Sequence, residues 1–434
     1  MILLLIVSIF FFCLLIGVPV VFSLIVASAI PILFEPMVSL TQMSSIMLES
    51  LGSFTLLAIP LFIFCGRLMN LTGVTEDLIY ISKALVGKAK GSLAHINIVT
   101  SIFFAAISGS SVADVASLGR VLIPAMIKAG YSREFAATVT AASSTIGSII
   151  PPSILLIVYG ALAKTSVAGL FIGGILPGIL IGLMQMGYAY FYASKNNVGT
   201  VNSEDLGLDS NKELSKIVAI KKVIFPLSLF LIVIVGIMSG VFTATEAASI
   251  AVVYVVFIAF FVKKERRFGQ YMDVSKQAAM DAATIYILIA AAAFLSWVLT
   301  YYKAMDPIIQ FLINSDVSPA GFLILLTLLY VVLGTFMEPT SAMLIFVPLL
   351  LPVMNALEID PIVAGIVTVM AIRLGTVTPP YGLSSLLASK VAGTNVMKML
   401  NHILIFVGVY LGSILIIIFF QDIVTFLPNL FMDE

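Results

Sequence analysis

Two proline pairs, Pro151-Pro152 and Pro379-Pro380, sit in the middle of apolar stretches otherwise long enough to cross a bilayer. Proline has no amide N–H, and its ring clashes with the carbonyl one turn back, so each pair breaks a helix. In hydrocarbon no water satisfies the freed carbonyls. A broken helix persists at that depth only where protein surrounds it or where it lines a cavity. The chain must therefore enclose its breaks and cannot be a set of simple lipid-facing rods. The surroundings of the two pairs are repeated. Gly147-Ser148-Ile149-Ile150-Pro151-Pro152 returns as Gly375-Thr376-Val377-Thr378-Pro379-Pro380, the pattern GxxxPP at an offset of 228 residues. With a few residues of slippage, Gly109-Ser110 falls opposite Gly334-Thr335, and Pro124 opposite Pro348.

Composition agrees with a membrane setting. The 434 residues are 61% hydrophobic and 10% charged, with a mean hydropathy of +1.17. Soluble domains carry about 25% charged residues, so an ordinary globular enzyme is excluded, and a disordered chain with it. The formal net charge of zero offers no basic surface for nucleic acid. Cys13 and Cys65 lie in apolar runs, and His95 and His402 are too few for a histidine-rich centre. No GxxxxGK[ST] loop, HExxH or GxSxG occurs, which leaves ATP hydrolysis by a P-loop, zinc chemistry and serine hydrolysis unsupported. The apolar start has no Lys or Arg and reads as a retained span rather than a signal peptide.

The apolar stretches give an all-α membrane fold of two repeats, 1–194 and 223–427, joined by a polar linker at 195–222 that lies on the cytoplasmic side. Residues 2–34, cut at Gly17-Val18-Pro19, read as two crossings or one long tilted helix. The stretches 92–126 and 320–357 read as re-entrant hairpins, and 135–162 and 361–389 as Pro-broken helices. Each repeat then crosses five times, an odd number, so the repeats have inverted topology. The basic residues support this. Of 22 Lys and Arg, only Lys164 and Lys303 fall outside, Arg373 falls within a span, and the other 19 share the linker's side, as the positive-inside rule requires. The expectation is about ten spans plus two hairpins, with both termini outside. Trp297 with Tyr301-Tyr302 reads as an interfacial belt. Glu35, Glu49, Glu246 and Asp281 read as span-end groups.

Paired broken helices in corresponding places of two halves point to a transporter's binding site. Freed carbonyls beside hydroxyls suit a hard cation such as Na⁺. One constellation joins Ser108, Gly109, Ser110 and Ser111 at the first hairpin tip to Ser144, Thr145, Gly147, Ile150 and Pro152. The other joins Gly334, Thr335, Met337 and Glu338 to Gly375, Thr376, Thr378 and Pro380. The metal-ligating set is Ser108, Ser110, Gly147, Ile150 and Pro152 in the first repeat. In the second it is Gly334, Met337, Gly375, Thr378 and Pro380. Small residues at these places also serve close helix packing. An organic anion between the tips would meet hydroxyls and helix N-termini, from Ser110, Ser111, Ser153, Thr340, Ser341 and Tyr381. Asp114, Glu338 and Arg373 are ionisable at membrane depth. Asp114 and Arg373 join the substrate candidates. Asp114 serves equally as a helix cap, and Arg373 as a structural partner of Glu338 or of a freed carbonyl.

These motifs resemble a known family. Ile107-Ser108-Gly109-Ser110-Ser111-Val112-Ala113-Asp114 and the run Pro124-Ala125-Met126 with Gly130-Tyr131 and Arg133 are similar to signatures of the large membrane subunit of tripartite ATP-independent periplasmic (TRAP) transporters. Ser144-Thr145-Ile146-Gly147 with its proline pair, and Arg373-Leu374-Gly375 through Gly382, resemble it too, and the likeness covers nearly the whole chain. The resemblance implies a sodium-coupled elevator transporter with two Na⁺ sites in a bacterial inner membrane. It implies a separate small four-helix membrane subunit and a periplasmic substrate-binding protein as partners. It implies an organic acid as substrate, sialic acid first and a C4-dicarboxylate second. Two alternatives remain: a partner-independent sodium/anion symporter, and an anion channel.

Overall fold

The computed structural model describes residues 2–33, 40–72, 74–87, 89–108, 111–196, 198, 216–262 and 268–432, and all regular structure among them is helical. The chain opens with α1 (Ile2–Leu15) and α2 (Val20–Ile32), which turn at Gly17 (φ +86°) and pack on one another. This excludes the long tilted helix expected as one reading of 2–34. At 1.5 Å per residue each helix is about 20 Å long, less than the roughly 30 Å hydrocarbon core. Next come α3 (Leu40–Ser50), α4 (Ala58–Leu71) behind a 3₁₀ turn at Phe54–Leu57, and α5 (Val74–Val86). The first hairpin is α6 (Ser92–Ser108) and α7 (Ser111–Lys128). The first broken helix is α8 (Arg133–Ser143), a 3₁₀ turn at Ile146–Ser148, then α9 (Ile154–Ala163). The long α10 (Val167–Lys195) follows.

The second half shows a similar succession of hairpin, broken helix and long helix, behind four helices where the first half has five. α11 (Lys216–Met238) begins inside the stretch 195–222. α12 (Ala244–Phe257) runs into a π-helical turn at Ile258–Val262. α13 (Phe268–Tyr301) has 34 residues and is about 50 Å long. α14 (Asp306–Asn314) leads to the second hairpin, α15 (Pro319–Phe336) and α16 (Pro339–Ala356). The second broken helix is α17 (Pro361–Gly375) and α18 (Leu383–Ala392), followed by α19 (Val396–Phe419) and α20 (Asp422–Phe431). Both proline pairs carry a cis peptide bond. Among the described residues, seven helical segments of 18 or more residues are apolar enough to cross a membrane, the two arms of the second hairpin among them.

Two packing groups emerge. α13 lies against α2, α3 and α4, and α4 against α12. Side chains tie this group: the Tyr286 hydroxyl donates to the Leu56 carbonyl (3.0 Å), the Thr245 hydroxyl to Phe54 (3.0 Å), and Arg67 pairs with Asp281. Glu246 closes a capping box with Thr243, and Trp297 stacks on Tyr301. Three of the four span-end acids thus have structural places or line a cavity described below, and Glu35 lies outside the described residues. In the other group the hairpins and broken helices interlock. α8 and α7 pack on α18, and in the same manner α17 and α16 pack on α9. α6 packs on α8 as α15 packs on α17, and α10 and α19 pack together. Exchanging one half for the other leaves this set of neighbours unchanged. The turns after the broken helices match as well. Ala163-Lys164-Thr165-Ser166-Val167 and Ala392-Gly393-Thr394-Asn395-Val396 place Lys164 (φ +53°) and Gly393 (φ +64°) in the left-handed region. Thr165 N–H donates to Gly160 and Thr394 N–H to Ser389, both at 3.0 Å, and Ser166 and Asn395 cap the next helices.

Candidate transport site

At the second constellation, glycine permits backbone to meet backbone. A Cβ on Gly334 would lie 2.3 Å from the Ile372 carbonyl oxygen. One on Gly375 would lie 2.6 Å from the Gly334 backbone and from the Val331 carbonyl oxygen. The hairpin arm α15 is therefore seated on α17 as closely as a chain permits, and Gly334 and Gly375 are brought together. Beyond Gly375, the Thr376 hydroxyl donates to the Arg373 carbonyl (2.7 Å) and the Thr378 hydroxyl to Leu374 (2.8 Å). A hydroxyl that donates its proton keeps lone pairs for another partner. Clustered carbonyls with such oxygens fit a hard, oxygen-preferring cation. Among the described residues no group of three or more His, Cys, Asp and Glu gathers to hold a transition metal. Met337 ends α15 in extended conformation, Phe336 meets Tyr381 edge-on at 5.6 Å, and Pro380 and Tyr381 are exposed.

The first constellation has the same chemistry but is closed over. Ser144 and Thr145 donate to the carbonyls of Ala141 (2.8 Å) and Ala142 (2.6 Å). Gly147 and Ile150 are buried and Pro152 is half-buried. Glycines of α10 admit this turn: a Cβ on Gly174 would lie 2.3 Å from the Ile149 carbonyl oxygen. Ser153 is fully buried, caps α9 through Leu156 N–H, and donates to the Ser148 carbonyl. It therefore holds the break in shape and is not open to a solute in this structure. Ser110 and Gly109 lie outside the described residues, and Ser108 closes α6.

Arg373 joins the constellations. It is 7% exposed, and its Nη1 donates to the Ser111 hydroxyl at the start of α7 (3.1 Å). Ser111 and Asp114 are each 1% exposed. Glu338 is occupied at its own helix: it caps α16, accepting from Ser341 N–H (2.9 Å), from the Thr340 hydroxyl (2.9 Å) and from the Ser341 hydroxyl (3.4 Å). Thr340 and Ser341 thus face an internal carboxylate at the place where a substrate anion was expected.

The sequence reading missed a buried polar ladder. Asn97 donates to Thr140 (2.7 Å), the Ser143 hydroxyl donates to Asn97 Oδ1 (3.3 Å), and Ser101 meets Ser143 at 2.9 Å. Gln185 of α10 donates to the Ala142 carbonyl (3.3 Å). Asn97 and Ser101 are one turn apart on α6, the spacing that could have revealed a shared face. Asn97→Ala is expected to lower stability by about 1 kcal/mol, read as a lower melting midpoint in detergent. Elsewhere, a cavity of about 970 Å³ is lined by Glu49, Lys164, Thr165, Thr243, Trp297 and Pro348, among others, and by none of the described tip residues.

A family model described as "Tripartite ATP-independent periplasmic transporter, DctM component" matches residues 7–423. The chain is 36% identical over 440 residues to the C4-dicarboxylate TRAP transporter large permease protein DctM of Vibrio cholerae, covering 96% of this chain and 95% of that protein. It is 32% identical over 417 residues to the sialic acid TRAP transporter large permease protein SiaM of the same species, covering 96% of each. Among solved structures, the YdaH transporter of Alcanivorax borkumensis aligns with a TM-score of 0.66, covering 95% of this chain and 97% of that one. At 14% identity that likeness concerns the fold alone.

Proposed function

This chain belongs to the tripartite ATP-independent periplasmic transporter family as its DctM component, and we propose that it is the membrane carrier of a sodium-coupled importer for a carboxylated organic acid. The observation that carries the reading is the meeting of both hairpins and both broken helices at α17, which packs on α15, α16 and α9 and whose Arg373 donates to Ser111 of the first hairpin. The two halves form inverted repeats of five crossings and one hairpin each. Support comes from the basic-residue bias, the exchange-symmetric packing and the paired turns at Lys164 and Gly393. The split helices are counted as crossings because α8 with α9, and α17 with α18, together reach the length that neither half has alone.

In this reading α1–α4 and α11–α13 are the fixed frame. The hairpins, broken helices, α10 and α19 move between the two membrane faces as an elevator. One Na⁺ is held by the backbone and hydroxyls of Ser108, Ser110, Gly147, Ile150 and Pro152. A second is held by Gly334, Met337, Gly375, Thr378 and Pro380. The substrate carboxylate lies between the tips, near Ser110, Ser111, Thr340, Ser341 and Tyr381. Ser153 and Asp114 act from behind, through the shape of the first loop. Two Na⁺ with one monoanion carry one net charge. At 100 mV that charge contributes about 2.3 kcal/mol, roughly a fiftyfold accumulation, before the Na⁺ gradient is added. ATP is not needed.

The partners are a small four-helix membrane subunit and a periplasmic binding protein, and the setting is the bacterial inner membrane. The substrate is drawn from the class that includes C4-dicarboxylates and sialic acid, the ligands in the relatives' names. Thr378→Ala, which removes a hydroxyl oxygen from the second loop, is expected to raise the Na⁺ concentration for half-maximal uptake severalfold. An unchanged Na⁺ dependence would remove Thr378 from the site. The topology is tested by cysteine labelling. Native Cys13 and Cys65 are buried. Ser315→Cys should react with an impermeant maleimide from the outer face, and Lys390→Cys only from the cytoplasmic face. Labelling of both from one face would contradict the inverted repeats.

A further inference from the structure

The cavity of about 970 Å³ lies between the two packing groups. One wall is the turn from α9 to α10, with Lys164. The other comes from the end of α3, the 3₁₀ turn before α4, the start of α12 and the last turns of α13, and includes Glu49, Ser53, Thr55, Ser296 and Trp297. A space of this size with a few polar groups set among apolar ones is what a small-molecule site offers. The fold does not use up these polar groups. Among the described residues, neither Lys164 nor Glu49 enters an ion pair, and the hydroxyls of Ser53, Thr55 and Ser296 make no hydrogen bond. A serine inside a helix ordinarily bonds the carbonyl four residues back, as Ser249 and Ser275 do here. Ser296 does not.

Lys164 also occupies an unusual place. It ends α9 with φ +53°, in the left-handed region where glycine meets no steric penalty. The matching turn after α18 has Gly393 there, at φ +64°. A lysine at that position works against backbone preference, and strain of this kind collects at functional sites. It is one of the two basic residues that the sequence places on the outer side. We propose that this cavity is an entry site for the substrate acid on the outer side, and that it takes a hydroxylated monocarboxylate. This rests on the importer reading and its topology. Lys164 receives the carboxylate. The three hydroxyls exchange hydrogen bonds with hydroxyls of the ligand, and Trp297 offers a surface to its carbon skeleton. Glu49 accepts from a ligand hydroxyl and repels a second carboxylate, so sugar acids fit and dicarboxylates do not. Because the cavity spans both packing groups, a solute held there already lies against the group that carries the hairpins.

Trp297 is the single tryptophan of the chain, so its fluorescence reports on this cavity without a label. The test is a titration of the purified full chain in detergent with N-acetylneuraminate and with gluconate, both hydroxylated monocarboxylates. Succinate is the dicarboxylate comparison. The medium holds K⁺ and no Na⁺, so the cation-dependent site at the tips stays unfilled. The expected result is a saturable change in Trp297 emission with at least one monocarboxylate and none with succinate over the same range. Lys164→Gly should weaken that binding about tenfold or more, the effect of losing a charged hydrogen-bond donor. Its thermal midpoint should hold or rise, since glycine relieves the backbone; a merely structural lysine would leave the binding unchanged. Lys164→Arg should keep most of the affinity, and Glu49→Gln should admit succinate. The proposal is overturned by silence towards both monocarboxylates, by an equal response to succinate in the wild type, or by unchanged binding in Lys164→Gly. Continued exclusion of succinate by Glu49→Gln overturns the assignment of ligand class. A response that appears only with Na⁺ and ignores Lys164 places the binding at the tips, which ends the cavity proposal and leaves the sodium-coupled reading standing.

Discussion

Gly375→Ala is expected to lower the initial rate of uptake by on the order of a hundredfold, with the chain still inserted in the membrane. The added Cβ falls 2.6 Å from the backbone of Gly334 and from the Val331 carbonyl oxygen. No side-chain rotation relieves a clash with backbone, so α15 and α17 must separate. Overpacking of this kind costs about 1–3 kcal/mol, which a large helical membrane protein survives. The functional loss is larger because a shift of about 1 Å in a binding arrangement costs on the order of a hundredfold. Gly408→Ala is the control: its Cβ meets nothing within 4 Å, and removal of glycine from a helix interior stabilises by roughly 0.5–1 kcal/mol. Uptake per inserted molecule should fall in the first variant and hold in the second. Equal rates would detach the Gly334–Gly375 contact from function.

Gly174→Ala should produce the matching loss in the first half. Its Cβ would lie 2.3 Å from the Ile149 carbonyl oxygen, within the broken turn that carries Gly147 and Ile150. The turn must lift off α10, and its carbonyls move with it. The expected result is a Na⁺ requirement raised at least tenfold (about 1.4 kcal/mol) and a lowered maximal rate. Gly178→Ala, one turn further on, meets the Ile150 side chain at 2.3 Å. That neighbour is a side chain with rotamer freedom, so its effect should be clearly smaller. If the two variants behave alike, the backbone of the turn is not the sensitive element.

The breaks were legible because their cause is local. A proline pair in an apolar run removes donors wherever the chain goes, and each pair falls between two helices, α8 and α9 in one case and α17 and α18 in the other. The turn between α15 and α16 was legible for a related reason: Met337-Glu338-Pro339-Thr340 interrupts an apolar run with a charge and a proline. The short helices α3, α5, α14 and α20 were not. Their apolar residues cover one face only, as Val424 and Pro428 do on α20, and such segments read as connections between spans. The sequence leaves 2–34 open because Pro19 is compatible with either a kink or a reversal, and the packing of α1 on α2 across the Gly17 turn decides for the reversal.

Side-chain roles were the least legible part. Ser153 and Glu338 were marked by residue type and depth, but the bond that occupies each is set by its neighbours in space. Ser153 faces Ser148 across the proline pair, and Glu338 turns back onto Thr340 and Ser341. Tyr410 gave no signal, since a tyrosine in an apolar helix ordinarily marks an interface; here it is buried beside Arg373. The pairing of Arg373 with Ser111 spans 262 residues, a distance no local pattern reports. The expectation of a structural partner for Arg373 named Glu338 or a carbonyl. The structure places one hydrogen bond of Arg373 on Ser111 of the first hairpin.

The claim that this chain is a sodium-coupled carrier fed by a binding protein is tested most directly by uptake into proteoliposomes holding it with its small membrane subunit. Radiolabelled C4-dicarboxylate and sialic acid are offered separately, with the cognate binding protein present or absent, under an inward Na⁺ gradient or in K⁺ alone. The account predicts accumulation of one of these acids only when the binding protein and Na⁺ are both present. Accumulation that proceeds equally well without the binding protein, or without Na⁺, would contradict it.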